Sequence, residues 1–342
     1  MKKILILCFL FCSLFLIGCE KKNTKNVKMD LINQINALKS YQLNGKLEVI
    51  NNDDVFNYDI MVSYKDKDYY RVSLLNSSNN HTQIILRNDE GVYVVTPSLN
   101  KSFKFQSDWP YNNSQVYLLK NIVNDLEKDE NSTIEEISDG YILTSAVHFP
   151  NNPSLVKQRI TVNNDLLIKK VEILNDDNIS LMTFIPSTTN YKPYFDESYF
   201  EVNSIINNTE NDNSDNQKNE KKEEDVQTSK LDDIIYPLYI PVGTVLTNEE
   251  KVSKTDGERV ILTFGGDKPF TLVEETTTKE KEFTVVPTYG EPYLLIDTVA
   301  ALADNSINWV SNGIEYYIVS DVLEQNELIE VARSVNVISV MK

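Results

Sequence analysis

Cysteine, glycine and histidine are all scarce in this chain of 342 residues. The three cysteines, Cys8, Cys12 and Cys19, all lie near the amino terminus. Beyond position 19 the chain therefore has no thiol for a disulfide, a zinc–thiolate site or a nucleophilic cysteine. The absence of free thiols suits a protein that works in an oxidising compartment, where exposed thiols are lost to oxidation.

The scarcity of glycine and histidine excludes several kinds of site. The adjacent glycines Gly265 and Gly266 lack the spacing of a P-loop or a dinucleotide-binding loop. The two histidines, His81 and His148, are far apart, and neither lies in a zinc-binding motif. No G-x-S-x-G elbow supports a Ser-His-Asp triad. We therefore predict a protein that is not an enzyme and that has no catalytic residue, metal ligand or cofactor.

Positive charge is also in short supply. The chain has 33 lysines and arginines against 51 aspartates and glutamates, which gives a net charge of −18. Such a surface repels nucleic acid and anionic lipid head groups, so we predict no nucleic-acid partner. The length suits two domains, and a hydrophobic content of 41% is enough to build a core in each.

The amino terminus carries the clearest signal. Two lysines precede an apolar run, residues 4–17, which is followed by Gly18 and Cys19. A basic region, an apolar stretch and a small residue are typical of a secretory signal. The tetrapeptide 16–19 resembles a bacterial lipobox, whose cysteine is joined to diacylglycerol. We predict a signal peptide at 1–18 and lipidation at Cys19. The alternative, a transmembrane helix, needs about 20 apolar residues.

The predicted anchor places the protein on the outer face of the cytoplasmic membrane, where it is held by acyl chains. Four segments follow Cys19. Residues 19–27 are polar and predict a tether. Residues 28–206 contain most of the regular patterning and predict the main domain. Residues 207–232 are acidic and almost without apolar side chains, which predicts a disordered linker. Residues 233–342 predict a small α+β domain.

The main domain shows two helical patterns and many alternating ones. Apolar residues recur at helical spacing over 28–39 and over 114–127, with Ser114 as the N-cap of the second helix. The alternating segments, separated by Asn- and Asp-rich turns, predict strands near 41–49, 58–64, 69–75, 81–87, 91–96, 102–106, 133–137, 140–149, 156–162, 167–174 and 179–185. The fold class is therefore mainly β (α+β), with a large curved antiparallel sheet wrapped around helices.

The carboxyl-terminal segment predicts a smaller unit. Strands are expected over 259–264, 269–273 and 292–299. The pair Asn312-Gly313 favours the tight turn of a hairpin that runs over 308–319. Ser320 is the predicted cap of a final helix, whose apolar face comprises Leu323, Leu328, Val331 and Val335.

Aromatic side chains give the candidate contact residues. These are Tyr93, Phe103, Phe105, Trp109, Pro110 and Tyr111. Phe103 and Phe105 are two residues apart and share one face of a strand. Trp109 and Pro110 lie past the end of that strand, where a contact with a partner is expected. One interpretation is a binding rim or the lining of an apolar cavity. The alternative is that these rings fill the core of the sheet.

Residues 83–110 carry a resemblance to a known family. This stretch, QIILRNDEGVYVVTPSLNKSFKFQSDWP, is similar to the signature of the GerS-like germination and sporulation lipoproteins of Gram-positive spore formers, which belong to the LolA/LolB/RseB-like superfamily. The similarity extends over residues 28–203. It implies a half-open antiparallel β-barrel with helices in its mouth. RseB-like proteins also pair such a domain with a smaller one.

The resemblance implies a role in binding during spore formation or germination. In the GerS-like group that role is linked to modification of the spore cortex through a cell-wall amidase partner. We therefore expect a membrane-anchored, non-enzymatic accessory protein with an envelope protein partner. One alternative is a carrier or sensor that holds a lipid or lipopeptide as an apolar ligand in the barrel cavity. A cell-wall hydrolase is a third hypothesis.

Replacing the predicted lipidation residue tests the anchor. We expect Cys19→Ala to move the protein from the membrane fraction to the soluble fraction, because each buried methylene of an acyl chain contributes about 0.8 kcal/mol of membrane affinity. Fractionation and immunoblotting measure the shift. Cys12→Ala, within the predicted signal, is the matched control and should leave the protein on the membrane. Retention of the Cys19→Ala protein would contradict lipidation there.

Overall fold

The computed structural model describes residues 24–51, 54–111, 114–205, 231, 233–254, 257–295 and 297–335. The predicted signal peptide, Cys19 and almost all of the predicted linker lie outside these residues. No helix in the described part is long and apolar enough to cross a bilayer.

Twelve strands form the first sheet. They are β1 (Ser40–Asn51), β2 (Asp54–Lys65), β3 (Tyr69–Asn76), β4 (Thr82–Asn88), β5 (Gly91–Thr96), β6 (Lys101–Phe105), β7 (Thr133–Ile137), β8 (Gly140–Ala146), β9 (Lys157–Asn163), β10 (Ile168–Leu174), β11 (Ser180–Asn190) and β15 (Thr284–Thr288). Their order is β15-β6-β5-β4-β3-β2-β1-β11-β10-β9-β8-β7. All neighbours are antiparallel except β15 and β6, which are parallel. The sheet is therefore open, with β15 and β7 as its edges.

Two helices occupy one face of this sheet. Helix α1 (Thr24–Asn36) packs against α2 (Leu119–Lys128), and one hydrophobic core joins both helices to the strands. Leu31, Ile35 and Ile122 are fully buried at this contact. The alternating strands give the sheet one apolar face, which must be shielded from water. The two helices pack on this face and shield it. The predicted half-open sheet around helices is confirmed.

Both helices differ in position from the prediction. Helix α1 begins at Thr24, so residues 24–27 are helical rather than part of a tether, and Val27 is buried in the core. Helix α2 begins at Leu119, and Ser114 does not cap it. Instead, Ser114 pairs with His148: its Oγ accepts the His148 N–H at 2.7 Å, and its N–H donates to the His148 carbonyl at 2.8 Å.

The carboxyl-terminal half forms a second sheet of seven strands. They are β12 (Thr244–Ser253), β13 (Glu258–Gly266), β14 (Phe270–Thr276), β16 (Glu291–Leu294), β17 (Val299–Leu302), β18 (Ser306–Ser311) and β19 (Ile314–Val319). Their order is β12-β13-β14-β19-β18-β17-β16. Helix α3 (Gln325–Val335) packs on β18 and β19 through buried Leu328, Val331 and Val335.

Several details of this half depart from expectation. Asn312 and Gly313 form the expected turn, with φ of 51° and 78°. The predicted strand 292–299 is two strands, β16 and β17, while β12 and β15 were not predicted. The Ser320 Oγ accepts the N–H groups of Val322 and Leu323, so it shapes a turn that precedes the helix. Helix α3 itself begins only at Gln325.

The two halves are not separate domains in space. Strand β15 leaves the carboxyl-terminal half and pairs with β6 of the first sheet, with Thr284 opposite Lys101. The predicted domain boundary at 232/233 therefore separates two segments of the sequence, but strand pairing joins these segments in the structure. The predicted linker also extends too far at its carboxyl-terminal end, because it includes Leu231, which is buried in the second core.

A buried glutamine fixes the contact between the halves. The Gln83 Oε1 accepts the Val299 N–H at 2.6 Å and the Thr298 hydroxyl at 3.0 Å, and its Nε2 lies 3.5 Å from the Val299 carbonyl. Nearby, the Asn76 amide donates to the Asp297 carbonyl at 3.1 Å. These side chains satisfy backbone groups of the other half that would otherwise be buried without partners.

Removing the glutamine tests this contact. We expect Gln83→Ala to lower the free energy of unfolding by about 1–3 kcal/mol, because it leaves the Val299 N–H and the Thr298 hydroxyl unsatisfied. Urea unfolding measures the change. The control is Asn44→Ala, which removes an exposed hydrogen bond to Thr188 in the same sheet and should cost much less. Equal midpoints for Gln83→Ala and the unmodified chain would refute this account.

A second buried polar group, Glu274, makes stability depend on pH. This side chain is fully buried, and its two oxygens accept the Ile235 N–H at 3.1 and 3.2 Å. Burial raises the pKa of Glu274 to about 7. Since the folded-state pKa lies above the ordinary value of 4.5, the contribution to stability is complete below that value. It is lost as the pH rises through about 7.

We therefore expect Glu274→Gln to flatten the pH dependence of stability. The amide keeps a carbonyl oxygen for the Ile235 N–H but cannot ionise. Thermal unfolding at pH 5 and pH 8 measures the effect. The variant should have a higher melting temperature than the unmodified chain only at pH 8, by about 3 °C for each kcal/mol of stability recovered. Glu250→Gln, at an exposed position of β12, is the control and should change neither value. A gain of the same size at both pH values would contradict the prediction.

Candidate binding site

A cleft lies where the two halves of the molecule meet. The first half contributes the end of β1, the start of β11 and the loop between β8 and β9, and the second half contributes residues 294–295 and α3. This junction cleft is lined by Val49, Ile50, Asn51, Asn151, Asn152, Pro153, Ser154, Leu155, Leu181, Met182, Leu294, Leu295, Asn326, Glu330 and Arg333. Its volume is about 470 Å³, which falls within the range of ligand-binding pockets.

The floor of the junction cleft is apolar. Leu155 and Leu295 are buried there, and Met182 is half-buried beside them. The floor continues into a smaller recess of about 50 Å³, whose walls include Val116, Tyr117 and Phe149. Leu155, Met182 and Leu294 line both spaces. A ligand in the cleft could therefore place one small apolar group in the recess.

The rim of the junction cleft is rich in side-chain amides. Asn51, Asn151, Asn152 and Asn326 surround the opening. The Asn151 Nδ2 donates to the Glu291 carboxylate at 3.4 Å, and burial raises the pKa of Glu291. An amide side chain offers donors and an acceptor together, so it can bond either group of a peptide main chain. The rim can thus bond a neutral polar ligand without selecting strongly between donors and acceptors on that ligand.

One cation faces the cleft from α3. The Arg333 guanidinium donates to the Glu330 carboxylate at 2.9 Å and to the Tyr293 hydroxyl at 3.1 Å. A guanidinium has five N–H donors, so further donors remain within the described part of the chain. The neighbouring Glu330 offsets the charge of Arg333. The cleft is accordingly close to neutral, although the chain as a whole carries a charge of −18.

A second polar cavity, of about 260 Å³, lies on the contact between the halves. It contains His81, Asp297 and Ser311, and the Ser311 hydroxyl donates to the Asp297 carboxylate at 2.7 Å. Burial lowers the pKa of His81 and raises that of Asp297. In a Ser-His-Asp triad the serine would bond the histidine, which differs from this arrangement. Among the described residues, no group of three or more His, Cys, Asp or Glu could hold a metal ion.

The predicted contact residues do not form one surface. Phe103 and Phe105 both pack on the main core, as their shared strand face implies. Tyr93 is buried on the opposite side of the sheet, among Ile84, Leu86, Val95, Phe200 and Ile205. Tyr111 is 51% exposed, and the Arg87 guanidinium lies 5.4 Å from the centre of its ring.

The prediction of an exposed contact at Trp109 and Pro110 is wrong. Trp109 is 1% exposed, and its indole packs edge-on against Tyr70 at 5.9 Å. Pro110 is buried too, and its carbonyl accepts the Asn121 amide at 2.6 Å. After β6 ends, the chain turns inward because the space between the sheet and the helices needs a large apolar side chain. Cys19 lies outside the described residues.

No pattern in the sequence predicts the junction cleft. Its residues come from five separate segments, and none of them carries a recognisable motif. The signals were a run of amides at 151–152 in a loop and an arginine on the last turn of a helix, and both are common on ordinary surfaces.

Comparison with known proteins gives a family. The model of the family described as sporulation protein YdcC-like matches residues 1–200, which include the stretch 83–110. Sporulation protein YdcC of Bacillus subtilis (strain 168) is 32% identical over 332 residues, which is 97% of this chain and 96% of that relative.

Solved structures give weaker likenesses. The complex of Pseudomonas aeruginosa MucA and MucB matches at 14% identity, covering 90% of this chain and 95% of that one, with a TM-score of 0.32. A chain in the structure of the Clostridioides difficile CwlD amidase in complex with the GerS lipoprotein matches at 18% identity, covering 53% of this chain and 99% of that one, with a TM-score of 0.27. At such TM-scores the overall superposition is poor, so the fold described above stands on this chain's own strands.

Proposed function

Because the chain belongs to the sporulation protein YdcC-like family, we propose that it is a lipid-anchored accessory protein of spore formation or germination that binds an envelope protein. It works at the outer face of the cytoplasmic membrane and performs no chemistry of its own. The junction cleft is the observation that supports this proposal. It joins an apolar floor to an amide rim, so it can bury an apolar side chain and bond the main chain of a polypeptide segment.

The bound segment is extended. Its main chain pairs with the amides of Asn51, Asn152 and Asn326, and one small apolar side chain enters the recess beside Leu155. Arg333 holds a carbonyl or a carboxylate of the same segment through its remaining N–H donors. Because the two walls of the cleft come from different halves, the contact made by Gln83 also keeps the binding site in shape.

The anchor keeps this site close to the membrane. Five positions separate Cys19 from the first residue of α1, Thr24. Even a fully extended chain covers only about 18 Å over that span. The first sheet is therefore held near the bilayer surface, which favours a partner that is itself at the membrane or in the adjacent cell wall. A cortex-modifying cell-wall amidase is the first candidate, on the strength of the resemblance in residues 83–110.

Blocking the cleft tests the proposal. We expect Ser154→Trp, at an exposed position on the rim, to reduce recovery of the partner at least about tenfold, because the indole occupies the space of the bound segment. The measurement is quantitative affinity capture of the tagged protein from sporulating cells in mild detergent, with a cell-wall amidase as the protein monitored.

The matched control is Ser198→Trp, at an exposed position outside the cleft. This variant should recover the amidase as the unmodified chain does. Equal recovery by both variants would show that the cleft is not the site. Failure of the unmodified chain to recover any envelope protein would remove the proposal itself.

A second candidate function is supported by the recess. Its walls are mostly apolar, with Val116, Phe149 and Leu155 among them, so the end of an acyl chain of a lipid or lipopeptide also suits it. The recess has room for only one or two groups of the size of water, and the rest of such a chain would lie in the junction cleft. Native mass spectrometry of the unlipidated chain distinguishes the two functions. A bound hydrophobic mass that Ser154→Trp removes supports the carrier, and an empty protein counts against it.

A further inference from the structure

Strand β12 is a long edge strand that no other strand among the described residues covers. It is the terminal strand of the second sheet, so the backbone N–H and C=O groups along its outer side have no strand partner within the described residues. Nine of its ten residues are exposed or half-exposed, which means that neither of its faces is buried. Folded proteins normally shorten, cover or charge such an edge, because it is a template for pairing with another chain.

Strand β7, one of the two edges of the first sheet, shows the usual protection. Strand β7 has only five residues, and two of them are the adjacent glutamates Glu135 and Glu136. None of the large exposed apolar side chains belongs to β7. Strand β12 differs from β7 in its greater length and in the exposed apolar side chains near its beginning.

Exposed apolar side chains gather at the beginning of β12. They are Tyr236, Leu238, Tyr239, Val242, Val245 and Leu246. Val242 is 95% exposed, Leu238 is 65% exposed and Val245 is 63% exposed. A cluster of this kind within eleven consecutive residues marks an interaction surface, whereas isolated apolar residues on a surface do not.

The pairing register places these groups on the two faces of the edge. Opposite the buried residues Phe264, Leu262 and Val260 of β13 stand Leu246, Glu249 and Lys251, which therefore share the face that carries α3. Opposite Gly265 and Ile261 stand Val245 and Glu250, on the other face. Each face thus presents an apolar residue at the beginning of the strand and a glutamate further along.

Within the part of the chain that the structure describes, neither Glu249 nor Glu250 pairs with a cation. The Glu249 carboxylate accepts the Tyr236 hydroxyl at 2.6 Å, which is an uncharged partner. Glu250 has no ion pair within the described residues, and the neighbouring Lys251 already pairs with Glu258 at 3.0 Å. A strand that pairs with this edge would therefore bring basic side chains beside Glu249 and Glu250 and apolar ones beside Val245 and Leu246.

We infer that β12 is a docking strand, which binds an extended segment of a partner protein that carries two adjacent lysines or arginines and, a few residues away, two adjacent apolar residues. The segment adds an eighth strand to the second sheet. Main-chain hydrogen bonds supply the affinity, and the two glutamates and the apolar cluster select the sequence. The overall charge of −18 draws a basic partner toward the surface. This surface is separate from the junction cleft, and its test does not depend on the function proposed for that cleft.

Defined peptides test the inference. The probes are two soluble, threonine-rich decapeptides that share two adjacent valines. A few residues away from the valines, one peptide carries two adjacent lysines and the other carries two adjacent glutamates. With the unlipidated chain, we expect the lysine peptide to bind at least about tenfold more tightly than the glutamate peptide and to slow hydrogen exchange in residues 244–253. Binding of both peptides with equal affinity, or protection confined to other strands, would overturn the inference.

Charge reversal makes the test specific. The double variant Glu249→Lys/Glu250→Lys should invert the preference, so that the glutamate peptide binds more tightly. Glu135→Lys on β7 is the matched control and should leave the original preference intact. Concentration-dependent protection of β12 without any peptide would show instead that a second copy of this chain covers the edge, and it would overturn the assignment of a basic partner.

Discussion

The contact between the two halves is the constraint on which the rest of the structure depends. One side chain, Gln83, satisfies both the Val299 backbone and the Thr298 hydroxyl, and the parallel pairing of β15 with β6 extends the same attachment along the edge of the first sheet. Without this attachment the junction cleft would have one wall. The attachment is polar and buried, so its value lies in the fixed orientation that it imposes at least as much as in net stability.

Much of the fold could be predicted from local patterns. Alternation located most strands of the first sheet to within a few residues, and the Asn312-Gly313 pair located a hairpin turn, because both signals act between neighbours in sequence. Strands β12 and β15 were not predicted, and there is a physical reason for this. Neither has a buried face, so neither shows the alternation that burial imposes. The start of α1 was not predicted correctly, because Val27 is buried by tertiary packing, which the local sequence pattern does not indicate.

The candidate site was less predictable than the fold. Aromatic content drew attention to Trp109, but a large ring beside a turn suits a core as well as a surface, and only the direction of the chain after β6 decides between them. The junction cleft is built by side chains that come together when two halves dock, with Asn152 and Arg333 as examples from opposite walls. No residue spacing in the sequence indicates that these side chains come together. The resemblance of residues 83–110 to sporulation lipoproteins indicated the family, and the family match agrees with it.

The parallel pair β15–β6 has a consequence for the order in which the molecule assembles. The paired residues, such as Thr284 and Lys101, are about 180 positions apart in the chain. Closing so large a loop is entropically expensive, and such contacts form late in folding. As the chain is made from its amino terminus, β6 remains an unpaired edge until β15 has been added. The attachment that joins the two halves is therefore also the step that ends the exposure of the β6 edge to unwanted strand pairing.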